Sequence, residues 1–221
     1  MKLDIIRGSG LCSNCFILSE ENLKQLLVVD IGIGGKLTRF ALKKSLASIV
    51  NKKFSDYSIE IFLTHCHIDH ILGENNLRDF EKVTFSASEK AAKHINSRDD
   101  VTLVSKYGGK INYSIDKIYL DGEILKFGDI ELEVIYTPGH TDGSAILYDK
   151  EGKNLFAGDV VFAGRACGRV DLPTGNRQVM ISTLGKVAKL DIEHLYSGHG
   201  PDMHKNIKAN ILSAKQMMEY W

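Results

Sequence analysis

Apolar and polar positions fall into short runs that break at glycine, histidine or aspartate, the pattern of strands opening into loops. Residues 26–30 read as an apolar strand, and Ser58–Leu63 alternates into an apolar end, as a buried strand does. A hairpin is predicted for residues 124–127 and 130–135, joined across Gly128-Asp129. Further short strands are expected at residues 154–157 and 194–196. Helical spacing occurs over residues 36–50, 88–95, 176–189 and 205–220, the second opened by a serine cap. In the last, Ile207, Ile211, Ala214 and Met218 share one face, which predicts a core contact.

The chemistry-bearing residues cluster where strands end. His65-Cys66-His67-Ile68-Asp69-His70 places three imidazoles and a carboxylate directly after the strand ending at Leu63. Metal coordination accounts for that density of ligand types. Adjacent side chains face different ways, so two neighbouring ions are expected, one on His65 and His67, the other on Asp69 and His70. Three later strand ends supply the remaining ligands: His140 in Thr137-Pro138-Gly139-His140, Asp159 after Gly158, and His199 between Gly198 and Gly200. Asp159 is placed to bridge the two ions, and the neighbouring glycines leave room for close backbone approach.

In these motifs and their order, the chain resembles the metallo-beta-lactamase fold superfamily, and the resemblance extends over nearly the whole sequence. It implies one αββα sandwich domain over residues 1–221, with the metals at one edge between the sheets. It also implies two divalent metal ions, zinc favoured, with iron or manganese as alternatives. His65, His67 and His140 would hold one ion; Asp69, His70 and His199 would hold the other; Asp159 would bridge, and Asp69 would also orient the reacting water.

The segment from Ala163 to Asn176 contains Gly168-Arg169-Val170-Asp171 and resembles the glyoxalase II-like and persulfide dioxygenase-like branches, which act on sulfur-containing substrates. From it, Arg165, Cys167 and Arg169 are candidate substrate contacts, with a simple Arg169–Asp171 pairing as the competing reading. The favoured activity is hydrolysis of a thioester or related ester by a metal-bound hydroxide. The alternative is a mononuclear iron persulfide dioxygenase using His65, His140 and Asp159. Full-length glyoxalase II enzymes carry an additional helical region that helps bind glutathione; this chain has room for one helix after His199, which puts glutathione in doubt.

Composition narrows the partners. Lys+Arg and Asp+Glu each number 28, giving zero formal charge, so no basic footprint for nucleic acid is expected and the substrate is expected to be a small molecule. The N-terminus has no apolar core of signal-peptide length and no run is long enough to span a bilayer, which predicts a cytoplasmic protein without membrane partners. Oligomeric state stays open. Cys12 and Cys15 have the spacing of half a zinc knuckle but no second pair, so they and Cys66 are expected to be ordinary thiols, Cys66 facing away from the metals.

Overall fold

A computed structural model describes residues 2–33, 54, 56–73 and 83–220. The helix expected at residues 36–50 lies outside the described residues. Two sheets face each other. The first has strand order β1-β2-β3-β5-β6-β7, from β1 (Lys2–Ile6), β2 (Cys15–Glu20), β3 (Gln25–Val29), β5 (Ser58–Leu63), β6 (Val83–Ser88) and β7 (Lys117–Tyr119). The short β4 (Gly32–Ile33) instead bridges in parallel to Ile71 and Leu72. The second sheet has order β12-β11-β10-β9-β8, from β8 (Ile124–Phe127), β9 (Ile130–Tyr136), β10 (Ala145–Asp149), β11 (Asn154–Gly158) and β12 (His194–Ser197).

Period-two alternation divides the central strands between two cores. In β3, Leu27 and Val29 point between the sheets, where they join Phe16, Phe62, Leu132, Leu147 and Phe156. Leu26 and Val28 point the other way, into a core shared with Ala91, Ala92 and Ile95 of helix α2 (Glu89–Ser97). The second sheet repeats this arrangement: Leu155 and Ala157 pack outward against helices α3 (Arg177–Val187) and α4 (Ile207–Tyr220). Helices therefore cover the outer faces of two stacked sheets, the αββα sandwich expected.

Helix boundaries follow capping chemistry. Ser88 caps α2, its hydroxyl accepting from Ala91 N at 3.3 Å, and Asn176 caps α3, accepting from Val179 N at 3.0 Å. Asn176 therefore stands outside the helix predicted to include it. The last helix starts two residues later than predicted because Asn206 has φ 56°, which a right-handed helix excludes. On α4, Ile207, Ile211 and Ala214 are buried and Met218 packs against the same core, as the apolar stripe predicted.

Strand direction fixes where the loops meet. β3, β5 and β6 run parallel, and β11 is parallel to β12 and, through β10, to β9. The carboxyl ends of β3, β5, β9, β11 and β12 carry Asp30, His65, His140, Asp159 and His199 respectively.

Candidate metal centre

The loops after β5, β9, β11 and β12 and the short helix α1 (Ile68–Ile71) bring all seven expected ligands together. Ligand atoms lie within 4.8 Å of one another in three overlapping sets: His65, His67 and His140; His65, His70 and Asp159; and Asp69, His70 and His199. Asp159 sits between the outer two: Oδ2 is 3.5 Å from His140 Nε2, and Oδ1 is 3.2 Å from His70 Nε2 and 3.6 Å from His199 Nε2. Asp69 Oδ2 lies 3.1 Å from His199 Nε2. Donors around a tetrahedral ion with bonds of about 2.0–2.1 Å stand roughly 3.3 Å apart, and these separations bracket that spacing.

Orphaned polar atoms support the same fit. His65 Nε2, His67 Nε2, His70 Nε2 and Asp159 Oδ1 are buried with no hydrogen-bond partner. His70 Nε2 and Asp159 Oδ1 stand 3.2 Å from each other. Leaving buried polar atoms unpaired costs about 1–3 kcal/mol each unless something binds them. The donor set, five imidazoles and two carboxylates, suits divalent cations of the zinc and iron kind.

The opposite ring nitrogens are committed. His65 Nδ1 lies 3.1 Å from Thr64 Oγ1, which donates to Asp30 Oδ2 at 2.8 Å; His70 Nδ1 meets the same Asp30 Oδ2 at 2.7 Å. Asp30 Oδ1 accepts from the Thr64 backbone N–H at 2.8 Å. His140 Nδ1 donates to the Arg169 carbonyl at 2.7 Å. With Nδ1 so engaged, the Nε2 atoms of His65, His70 and His140 point into the cluster, which is how outer-shell partners orient metal ligands. His67 differs: its Nδ1 is 2.8 Å from His140 Nε2.

Electrostatics separate the two outer sets. Burial, reinforced by neighbouring imidazoles, keeps His65 well below its ordinary value and brings His67 down to about 3. Burial also opposes a charged His70, but the carboxylates of Asp30, Asp159 and Asp69 outweigh it and raise the ring well above its usual value. His199 is raised in the same way, its burial outweighed by Asp69 and Asp159. Asp159 is held well below the carboxylate range because His70, His199 and His140 overcome its burial.

Two glycines are required by the close packing. A Cβ at Gly198 would lie 2.4 Å from Asp159 Oδ1 and 2.8 Å from His70 Cε1. One at Gly158, where φ is 48°, would lie 2.5 Å from Thr64 Oγ1.

The cluster opens into a cavity of about 840 Å³, lined by His67, Asp69, His140, Asp159 and His199 and walled by Leu11, Leu103, Tyr107, Phe162 and Leu172. Of the three substrate candidates, Arg169 lines this cavity. Arg165 is exposed, with its backbone N–H bonded to Asn210, and Cys167 packs against the outer core beneath the second sheet; neither is among the lining residues. The Arg169 side chain pairs at the surface with Asp171, Nε to Oδ1 at 2.7 Å, so its contribution to the metal centre is its carbonyl. Cys66 is buried in the core behind the first sheet, facing away from the ligands, and Cys12 and Cys15 are free and buried.

Sequence patterns did not point to Asp30, Thr64, Asn14 or Tyr107. Asp30 carried a usable signal, an acidic residue closing an apolar strand just as Asp159 does. Asn14 stitches the His199 loop in place, its Nδ2 donating to the Ser197 and Gly200 carbonyls at 2.9 and 3.0 Å. Such long-range contacts leave no local pattern.

Fold and site together define a class of metal centre: clustered histidine and aspartate ligands on strand ends, fixed from behind and open to a cavity. The chain belongs to the metallo-beta-lactamase superfamily, whose signature matches residues 10–199. It is 31% identical over 203 residues to a probable metallo-hydrolase of Methanocaldococcus jannaschii, covering 88% of this chain and 91% of that protein. It is 28% identical over 209 residues to a hydroxyacylglutathione hydrolase of Haemophilus influenzae, covering 90% and 91%. The crystal structure of the BLEG-1 B3 metallo-beta-lactamase superposes with a TM-score of 0.77 at 24% identity, covering 98% of this chain and 99% of that one, a likeness of fold. Among the described residues, no helix is long and apolar enough to cross a membrane.

Proposed function

We propose that the protein hydrolyses a small-molecule thioester at a dinuclear metal centre. The observation that carries this reading is the pair of outer ligand sets with Asp159 between them, facing one cavity. Divalent cations bound there supply an activated water of near-neutral pKa and polarise a carbonyl oxygen. His65, His67 and His140 would hold one ion, and Asp69, His70 and His199 the other.

The rest of the chemistry belongs to the chain. Asp30 and Thr64 keep the ring nitrogens of His65 and His70 turned inward, and the Arg169 carbonyl does so for His140. Asp69 is a half-buried carboxylate on the cavity wall, placed to orient a water and accept its proton. The apolar wall offers a surface for the part of the substrate that does not react. In the net reaction the carbonyl carbon gains a bond to a water oxygen and its bond to sulfur breaks, giving a carboxylic acid and a thiol. No side-chain nucleophile is required, since Cys66 faces a core and Cys167 lies off the cavity.

The test is thiol release from acetyl-, butyryl- and hexanoyl-N-acetylcysteamine and from S-lactoylglutathione under argon, with protein reloaded with zinc, iron or manganese. Turnover without oxygen, together with about two equivalents of metal per chain, is the expected result. Iron-dependent oxygen uptake with a persulfide, and no thiol released from any thioester, overturns the reading in favour of the dioxygenase.

A further inference from the structure

The cavity wall carries information about the part of the substrate that does not react. Leu11 and Tyr107 stand at the cavity with 62% and 52% of their surface exposed, although both are large and apolar in their bodies. Each is presented by a tight local structure. Leu11 follows Gly10, φ 62°, inside a turn closed by Cys12 N to Ser9 O at 3.2 Å; Tyr107 ends a single 3₁₀ turn over Ser105–Tyr107. Leu103, Phe162 and Leu172 line the same cavity. Leu103 is in the left-handed region, φ 61°, a conformation that disfavours leucine and is retained here at a cavity wall.

Charge is scarce among the described residues of the same wall. Apart from the ligand set, the only charged side chain among the described lining residues is Arg169, and its guanidinium is already engaged by both oxygens of Asp171. A glutathione conjugate carries two carboxylates and an ammonium, for which the described wall offers no uncommitted charged partner. An alkyl or aryl group needs none, and it removes Leu11, Tyr107 and Leu103 from water when it enters.

Resting on the thioesterase reading, we infer that the substrate is an apolar thioester whose hydrocarbon portion lies between Leu11, Leu103 and Tyr107, and that these residues set specificity. Water's oxygen is then added to the carbonyl carbon of a hydrophobic acyl thioester, the C–S bond breaks, and a fatty or aromatic acid and a thiol leave. The leaving thiol is not recognised through its charge.

Two measurements test this. The first is kcat/KM for an acyl-N-acetylcysteamine series from acetyl to octanoyl, with S-lactoylglutathione alongside. An increase of about threefold per added methylene is expected over at least four carbons. In Tyr107→Ala and Leu11→Ser the octanoyl-to-acetyl ratio should fall by roughly tenfold, since about one contact face is lost in each. The second is calorimetric binding of non-cleavable S-alkyl thioether analogues, whose affinity should rise with chain length and show a negative heat-capacity change. Both residues are surface-exposed, and matched thermal unfolding of the variants confirms that they fold.

Cleavage of all the thioesters with no chain-length dependence, or with a preference for the glutathione conjugate, overturns the inference and leaves thioester hydrolysis standing. If no thioester is cleaved, the thioesterase reading falls and the calorimetry decides. Affinity that does not change with chain length then overturns the pocket assignment as well.

Discussion

Replacing Asp30 by asparagine keeps shape and removes one charge, and the hydrogen bonds of the carboxylate set the cost. The carboxylate is buried and accepts from Thr64 N, Thr64 Oγ1 and His70 Nδ1 at 2.8, 2.8 and 2.7 Å. Asparagine has one acceptor oxygen, so either orientation sets its amide against a donor. With the amide at Oδ1, it faces the Thr64 backbone N–H, which cannot change its proton. With the amide at Oδ2, it faces His70, whose proton must then move to Nε2, the atom aimed at the metal cluster. The backbone φ of 56° is equally acceptable to asparagine, so no conformational penalty confuses the result.

One unsatisfied buried donor costs about 1–3 kcal/mol and a lost charge-assisted bond about as much, partly overlapping, so a net loss of about 2–3 kcal/mol is expected. For a chain of 221 residues that corresponds to a fall of roughly 5–10 °C in Tm. Disturbing an outer-shell partner of this kind weakens metal binding by about 10- to 100-fold. Thermal unfolding of the metal-free protein gives the first quantity and competition with a chromophoric chelator gives the second. Wild-type metal affinity in a folded Asp30→Asn variant would refute the claim that Asp30 sets the His65 and His70 ring orientations.

Gly198→Ala should fold yet fall well below two metal equivalents, because its Cβ meets Asp159 Oδ1 at 2.4 Å; full loading measured by elemental analysis would show that the loop yields instead. Asp159→Ala should abolish turnover, while Cys66→Ala should lower stability by about 1 kcal/mol and leave metal content intact, since the thiol packs in the core behind the first sheet; equal kinetic losses would mean that Cys66 reaches the metals. Metal content should fall in two steps as pH is lowered. A cation entering the Asp69, His70 and His199 set displaces protons from rings whose values are raised, so this set empties first as pH falls, whereas burial holds His65 and His67 neutral until far lower pH, His67 to about 3. Dialysis at stepped pH should lose the upper step in His199→Ala, and a single step in the wild type would contradict the separation.

The sequence alone marked six of the described strands and the candidate ligands because both are written locally. Period-two alternation marks which strand faces are buried, and the run from His65 to His70 is too dense in ligand types to serve a core. His140, Asp159 and His199 were legible because each follows an apolar strand, and the carboxyl ends of parallel strands in a sandwich gather at one edge. Helix ends were less legible: Asn176 and Asn206 are decided by individual φ values that spacing does not encode.

Tertiary structure decided what stands behind and around the ligands. Asp30 reaches His70 across 40 positions and Asn14 reaches Ser197 across 183, and no periodicity links residues so far apart. The same holds within the loop after Asp159. Its sequence offered Arg165, Cys167 and Arg169 as side chains for a substrate, but folding turned Arg165 toward solvent and Cys167 into a core, and committed the Arg169 carbonyl to His140. Residue type is a property of the sequence, whereas the direction a loop residue faces depends on the hydrogen bonds its backbone finds after the chain has closed on itself.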